Sequence, residues 1–187
     1  VGERISIITS KSQTTRHRIL GIVNGEDFQI VYSDTPGVVK PNYKLQEAML
    51  KYSKSALVDA DVIIYVTDVK EKSEKNLEFL NAVKNTETPV ILIINKIDLS
   101  NQEELEHLVM AWQQRLPRAE IYPTSALHNF NLKNLLSRIK ALLPENPPYF
   151  EKDALTDKPE RFFVTEIIKG QILHTRMYIG FPFKLCF

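Results

Sequence analysis

Residues 89–98 read Pro89-Val90-Ile91-Leu92-Ile93-Ile94-Asn95-Lys96-Ile97-Asp98, a continuous apolar run from Pro89 to Ile94 that breaks off on a polar exit. A run this short, β-branched and opened by a proline reads as a strand covered on both faces, not as a helix. Val62 to Thr67 repeats the pattern, and between the two Ser73 opens a helix with Leu77, Leu80 and Val83 turned inward. Strand, helix, strand in that order predicts parallel pairing. Downstream, Ser100 with Glu103 three residues later forms a capping box ahead of a helix whose stripe is Leu105, Leu108, Val109 and Trp112, with Trp112 in the core. Glu120 to Pro123 makes a short strand, and a last helix carries Leu132, Leu135, Leu136, Ile139 and Leu142 until Pro144 stops it. The alternation predicts an α/β fold with a doubly wound, mostly parallel sheet and right-handed crossovers.

Toward the N-terminus, Arg18 to Val23 and Phe28 to Ser33 are apolar-rich strands around Asn24-Gly25, a dipeptide that suits a tight hairpin turn. Leu45, Ala48, Met49, Tyr52, Ala56 and Leu57 then recur at helical spacing behind a turn at Pro41-Asn42, predicting a helix over about 43–59. Toward the C-terminus, Pro144, Pro147, Pro148 and Pro159 lie among charges in a stretch that reads as a linker, 144–160. Beyond it, 161–173 carries Phe162, Phe163, Ile167, Ile168 and Leu173 in helical fashion and begins a second domain. The chain starts on Val1 without a methionine or a signal segment, so its first residue reads as a cut.

Composition narrows the function. The 187 residues are 43% hydrophobic and 25% charged with a net charge of +1, so no global field points to nucleic acid or an acidic membrane. No apolar run approaches the roughly 20 residues of a membrane span. A single cysteine, Cys186, and four scattered histidines leave neither a disulfide framework nor a zinc-ligand spacing, so the chain reads as intracellular and zinc-free.

In an open α/β sheet ligands bind outside the carboxyl ends of the strands, and three such ends carry candidate chemistry. Asp34-Thr35-Pro36-Gly37 offers an aspartate that can hold magnesium through water and a glycine whose amide can approach a phosphate. Asn95-Lys96-Ile97-Asp98 offers a carboxylate that can accept from the N1 and N2 donors of guanine, which adenine lacks, a lysine stem for the base plane and an asparagine to tie loops together. Ser125-Ala126-Leu127 offers backbone amides for the guanine O6. Read alone, the first is more simply a plain Pro-Gly turn, and the second is equally a polar strand exit before a helix cap.

Together, spaced by whole strand–helix units, the three resemble the third, fourth and fifth guanine-nucleotide motifs of the translation-factor-related GTPases. More closely, Val1 to Arg18, VGERISIITSKSQTTRHR, resembles the stretch between phosphate loop and first switch of the Era GTPases, with Thr14 to Arg18 the most distinctive part. Pro159 to Ile168, PERFFVTEII, resembles the entry to Era's RNA-binding KH domain. The resemblance covers the chain to about residue 173. It implies a P-loop GTPase domain over 1–143 and the beginning of an α+β KH-like domain over 161–187. Thr15 would bind Mg2+ when GTP is present, Asp34 would hold the metal's water shell, and the Gly37 amide would sense the γ-phosphate. Thr15 and Gly37 would be the catalytic residues. Thr35, Pro36 and Val38, and Asn95, Lys96, Ile97, Asp98, Ser125, Ala126 and Leu127, would complete the GTP/GDP site. Val38 stands where Ras-like proteins carry a water-orienting glutamine, and a valine cannot do that by hydrogen bonding. The implied partners are 16S rRNA and the 30S subunit, with no DNA. The implied setting is a monomer in the cytoplasm, including the inner face of the cell membrane.

The chain departs from the pattern in two places. It has no GxxxxGK(S/T) loop to cradle phosphates; the family places that loop directly upstream of Val1, together with a central strand and the helix covering it. The residues given are therefore expected to leave two open sheet edges. No two glycines stand three apart, so the KH signature GxxG is missing, and 174–187 matches the family only around Phe181-Pro182-Phe183. The rival reading is a non-catalytic nucleotide or interaction module that keeps the guanine-reading half alone.

Overall fold

The computed structural model describes residues 15, 17–38, 44–71 and 77–175, with side chains to 168. Expectations for Ser73, Pro41-Asn42 and the stretches 1–14 and 176–187 lie outside the described residues. The chain divides into two units, one made of 1–37 with 148–187, the other of 38–147.

The first unit is built on a hairpin of β1 (Ile19–Asn24) and β2 (Gln29–Asp34), antiparallel with Ile19 opposite Asp34 and Asn24 opposite Gln29. Ile19, Ile22 and Ile30 are buried. The turn is not the two-residue Asn-Gly turn the dipeptide suggests. Asn24 stays in the ladder because its side chain accepts from Gln29 Nε2 at 2.7 Å and donates to the Ala154 carbonyl at 3.2 Å. The loop is Gly25 to Phe28, closed by Gly25 N donating to Phe28 O at 2.8 Å. Glycine is needed at 25 for room, since a Cβ there would stand 2.2 Å from the Phe28 ring.

Part of the Pro-rich stretch is strapped along β1. Ile22 N donates to Leu155 O at 2.9 Å, Gly21 bridges Thr156, and Leu20 N donates to Asp157 Oδ1 at 3.1 Å. Gln29 pairs with the Phe150 backbone in both directions, donating to its carbonyl and accepting from its amide, each at 2.9 Å. A residue-long piece of ladder is thus made by a side-chain amide, and the outer edge of β1 is covered. Replacing Gln29 by alanine leaves the Phe150 amide and carbonyl without these partners. The expected loss is about 1–3 kcal/mol, read as a lowered urea midpoint; Gln29→Glu, which restores only an acceptor, should fall between. After the strap comes α5 (Glu160–Thr175), where the sequence predicts a helix.

In the second unit, β3 (Ile63–Asp68), β4 (Val90–Asn95) and β5 (Glu120–Pro123) form a parallel sheet in the order β3-β4-β5. Ile91 and Leu92 point to opposite faces of β4 and both are fully buried, as the unbroken apolar run requires of a central strand. The helices are α1 (Lys44–Val58), α2 (Leu77–Lys84), α3 (Gln102–Arg115) and α4 (Leu132–Leu142). One core joins Ile63, Leu92 and Ile94 of the sheet to Phe79, Leu80 and Val83 of α2 and to Trp112 of α3, with Leu50 and Leu57 of α1 packed against it. This is the α/β architecture expected.

Two local readings shift. Leu77 is 63% exposed, and Phe79 takes the inward place because Phe79, Leu80 and Val83 fall on one face. The capping box sits one residue later than Ser100 and Glu103. Asn101 Oδ1 accepts from Glu104 N at 2.9 Å while Glu104 reaches back to Asn101 N, because Ser100 is already spent ending the 3₁₀ turn Ile97–Leu99.

Glu120 at the start of β5 forms a two-pronged ion pair with Arg138 of α4, at 2.6 and 2.8 Å. The Arg138 hydrogen bonds hold the Glu120 carboxyl below its ordinary value despite partial burial. A carboxyl depressed in the folded state contributes stability above its unfolded pKa, about 4.3, and loses it as pH falls through the folded value. Glu120→Gln is therefore expected to lower the urea midpoint near neutral pH, with the difference from wild type closing as pH drops below about 4.

Candidate functional site

Parallel register sets the carboxyl ends of three strands level, pairing Asp68 with Asn95 and Ile94 with Pro123. The β4 exit then folds back on the β5 exit. Thr124 N donates to Ile94 O at 2.8 Å, and Ile97 N donates to Thr124 O at 3.2 Å. Lys96 makes the corner in the left-handed region, φ 62°, an uncommon conformation for a residue with a side chain.

Side chains complete the stitching. Asn95 Oδ1 accepts from the Ala126 amide at 3.0 Å, and the buried Ser125 hydroxyl donates to Asp98 Oδ1 at 2.5 Å while accepting from His128 N at 3.3 Å. The loop beyond is closed by the Ser125–Phe130 bridge and by Asn131 Nδ2 on the Pro123 carbonyl at 3.1 Å. The Ser125 hydrogen bond holds the Asp98 carboxyl below its ordinary range, against some desolvation, with His128 and Lys96 acting the same way. Asp98 is thus an exposed, ionised carboxylate on a fixed arm. Such a group accepts from paired N–H donors and repels an edge that presents lone pairs.

Of the residues singled out from sequence, Asn95, Lys96, Ile97, Asp98, Ser125, Ala126 and Leu127 come together here, all in the second unit. Thr15, Asp34, Thr35, Pro36 and Gly37 belong to the first. Asp34 ends β2, Pro36 is buried, and Gly37 is exposed with nothing within 4 Å of where a Cβ would stand, so its backbone is open to close approach. Thr15 is half-buried. Val38 belongs to the second unit and packs against its core. The sequence reading passed over Asp68, although a Thr67-Asp68 pair closing an apolar strand is the same signal as Asn95 closing β4. Asp68 Oδ2 accepts from Lys96 Nζ at 2.6 Å and Oδ1 from the Lys70 amide at 2.9 Å.

Comparison with known proteins identifies the chain's relatives. Residues 1–96 match a family described as 50S ribosome-binding GTPase. The GTPase Era of Alkaliphilus metalliredigens (strain QYMF) is 41% identical over 175 residues, covering 93% of this chain and 59% of that protein. A crystal structure of a variant of Aquifex aeolicus Era bound to GDP and AlF4− superposes with a TM-score of 0.85 at 35% identity, covering 93% of this chain and 60% of that one. The elongation factor SelB of Methanococcus maripaludis with a GTP analogue, at 21% identity, TM-score 0.58 and coverage of 75% and 31%, shares the fold. The chain spans about three fifths of the length of the Era proteins it matches. No helix among the described residues is long and apolar enough to cross a membrane. By its family match and these likenesses, the chain belongs to the 50S ribosome-binding GTPase family and, within it, to the Era GTPases.

Proposed function

We propose that this chain forms the guanine-reading and switch-bearing body of a GTP-hydrolysing protein that binds 16S rRNA and the small ribosomal subunit during ribosome assembly. One observation supports it above the others: Ser125 and Asn95 lock the β4 and β5 exits together and leave the ionised Asp98 carboxylate facing out. Asp98 accepts from guanine N1–H and N2–H, the Lys96 stem lies across the base, and Asn95 keeps the two loops in register. Ile97 and Leu127 complete the loops that frame the base.

Thr15 would ligate Mg2+ through its hydroxyl and Asp34 would hold the ion's water shell through its carboxylate, both hard oxygen donors suited to that ion. When bound, the ion neutralises charge on the β- and γ-phosphates. The exposed Gly37 amide reads the γ-phosphate, and Thr35 and Pro36 set its approach. Since the Val38 side chain has no hydrogen-bonding group, the attacking water is oriented by backbone or partner groups. In this reading 1–143 is the GTPase domain, 144–160 a linker and 161–187 the start of a KH-like RNA-binding domain. The Era likeness supports a cytoplasmic monomer that also visits the inner face of the cell membrane.

Calorimetry with Mg2+ and GTP, GDP or ATP tests the reading, on this chain and on one carrying the residues encoded upstream. Binding that prefers GTP and needs the upstream residues is expected. Equal affinity for ATP, or no binding by either chain, overturns it. Cosedimentation with isolated 30S and 50S subunits in both nucleotide states tests the partner, and preference for 50S would displace the small-subunit assignment.

A further inference from the structure

Asp68 takes no part in the reading above, yet it is the residue nearest in register to the nucleotide motif. It stands opposite Asn95 at the end of β3, and Val69 N continues the ladder by donating to Asn95 O at 3.3 Å. Its own conformation is fixed twice, by Lys70 N on Oδ1 at 2.9 Å and by Glu71 N donating to its backbone carbonyl at 3.2 Å. The remaining oxygen, Oδ2, holds Lys96 Nζ at 2.6 Å. Lys96 is equally constrained at its root: φ 62° and ψ 34° aim the stem, and Leu99 N donating to its carbonyl at 3.0 Å keeps the corner closed. A left-handed lysine costs free energy and persists only where its surroundings over-determine it.

We propose that Asp68 is a positioning residue for purine-nucleotide binding, whose carboxylate anchors the Lys96 ammonium so that the lysine stem is aligned before the base arrives. The inference rests on the guanine-site reading. Its physical basis is entropy. A lysine side chain is rich in rotamers, and a flexible stem gives up most of that freedom when a base stacks on it. With both ends of the stem held in the empty protein, that loss is already taken, and binding gains by preorganisation. The side chain of Asp68 is 24% exposed and that of Lys96 is 53% exposed, so the pair is wet and the gain modest.

Asp68→Asn isolates the effect. Asparagine keeps an oxygen for the Lys70 amide and so keeps the turn, but withdraws the charge from Lys96. Fluorescent GDP affinity and dissociation are measured in the full-length protein for wild type, Asp68→Asn, Lys96→Met and the double variant, at low and high salt. Affinity of Asp68→Asn is expected to fall about 2- to 5-fold through faster dissociation, with the difference shrinking as salt screens the pair. The ratio of GDP to inosine diphosphate affinity should not change, because the N2 contact belongs to Asp98. In the Lys96→Met background Asp68→Asn should have no further effect. Unchanged affinity in Asp68→Asn, or the same loss in both backgrounds, overturns the proposal and leaves Asp68 a turn-capping group. Wild type that binds no guanine nucleotide removes the site reading itself, an outcome separate from the other two.

Discussion

Replacing Asp98 by asparagine is expected to weaken GTP binding on the order of 100-fold or more while leaving the fold intact. The carboxylate accepts twice; the amide accepts once and sets an N–H donor against a guanine N–H donor, so one hydrogen bond is lost and a repulsion gained. The same substitution should improve binding of xanthosine triphosphate, whose C2 carbonyl accepts from the new amide. Isothermal titration of the variant with both nucleotides reads the exchange. Asp98 is exposed and its partner Ser125 can donate to an amide oxygen as well as to a carboxylate, so circular dichroism should be unchanged. If the variant retains wild-type GTP affinity, Asp98 does not touch the base.

Trp112→Ala is expected to have the largest effect on stability, about 3–5 kcal/mol. The indole is 2% exposed in the shared core of β3, β4, α2 and α3. Its ring lies 5.6 Å from the Tyr65 ring at 55°, and the Arg115 guanidinium sits 5.6 Å over it. Truncation loses burial, an aromatic pair and a cation–π contact together. Trp112→Phe should cost much less. The chain has one tryptophan, so the measurement is urea unfolding followed by circular dichroism, not intrinsic fluorescence. A loss below about 1 kcal/mol for alanine would mean the core collapses around the gap.

The strands of the second unit were legible because burial on both faces writes an unbroken apolar run, and β5 falls at 120–123 as the pattern predicts. Trp112 at helical spacing read as core for the same reason. The errors are where polar side chains compete for the backbone. Nothing in Asn24-Gly25 says that Asn24 will be held in the ladder by Gln29 and Ala154, a partner far away in sequence. Ser100 and Asn101 are equally good caps, and the preceding 3₁₀ turn chose between them. Of the candidate site, Asn95, Asp98 and Ser125 were legible by residue type at strand ends. Asp68 was not, because its meaning depends on parallel register bringing it beside Lys96. The strap of 150–157 was read only as a linker, since side-chain amides pairing with distant backbone leave no periodicity to detect.

That strap sets a timetable for synthesis. The second unit is one uninterrupted stretch, 38–147, and every residue it needs has been made by the time its last helix emerges. The hairpin leaves the ribosome before the second unit but is closed by residues as distant as the 137-residue separation of Leu20 and Asp157. At ordinary elongation rates of about 5–20 residues per second, the outer edge of β1 waits roughly 7 to 27 s for its cover. During that interval the uncovered edge of the hairpin is open to pairing with a neighbouring chain's strand.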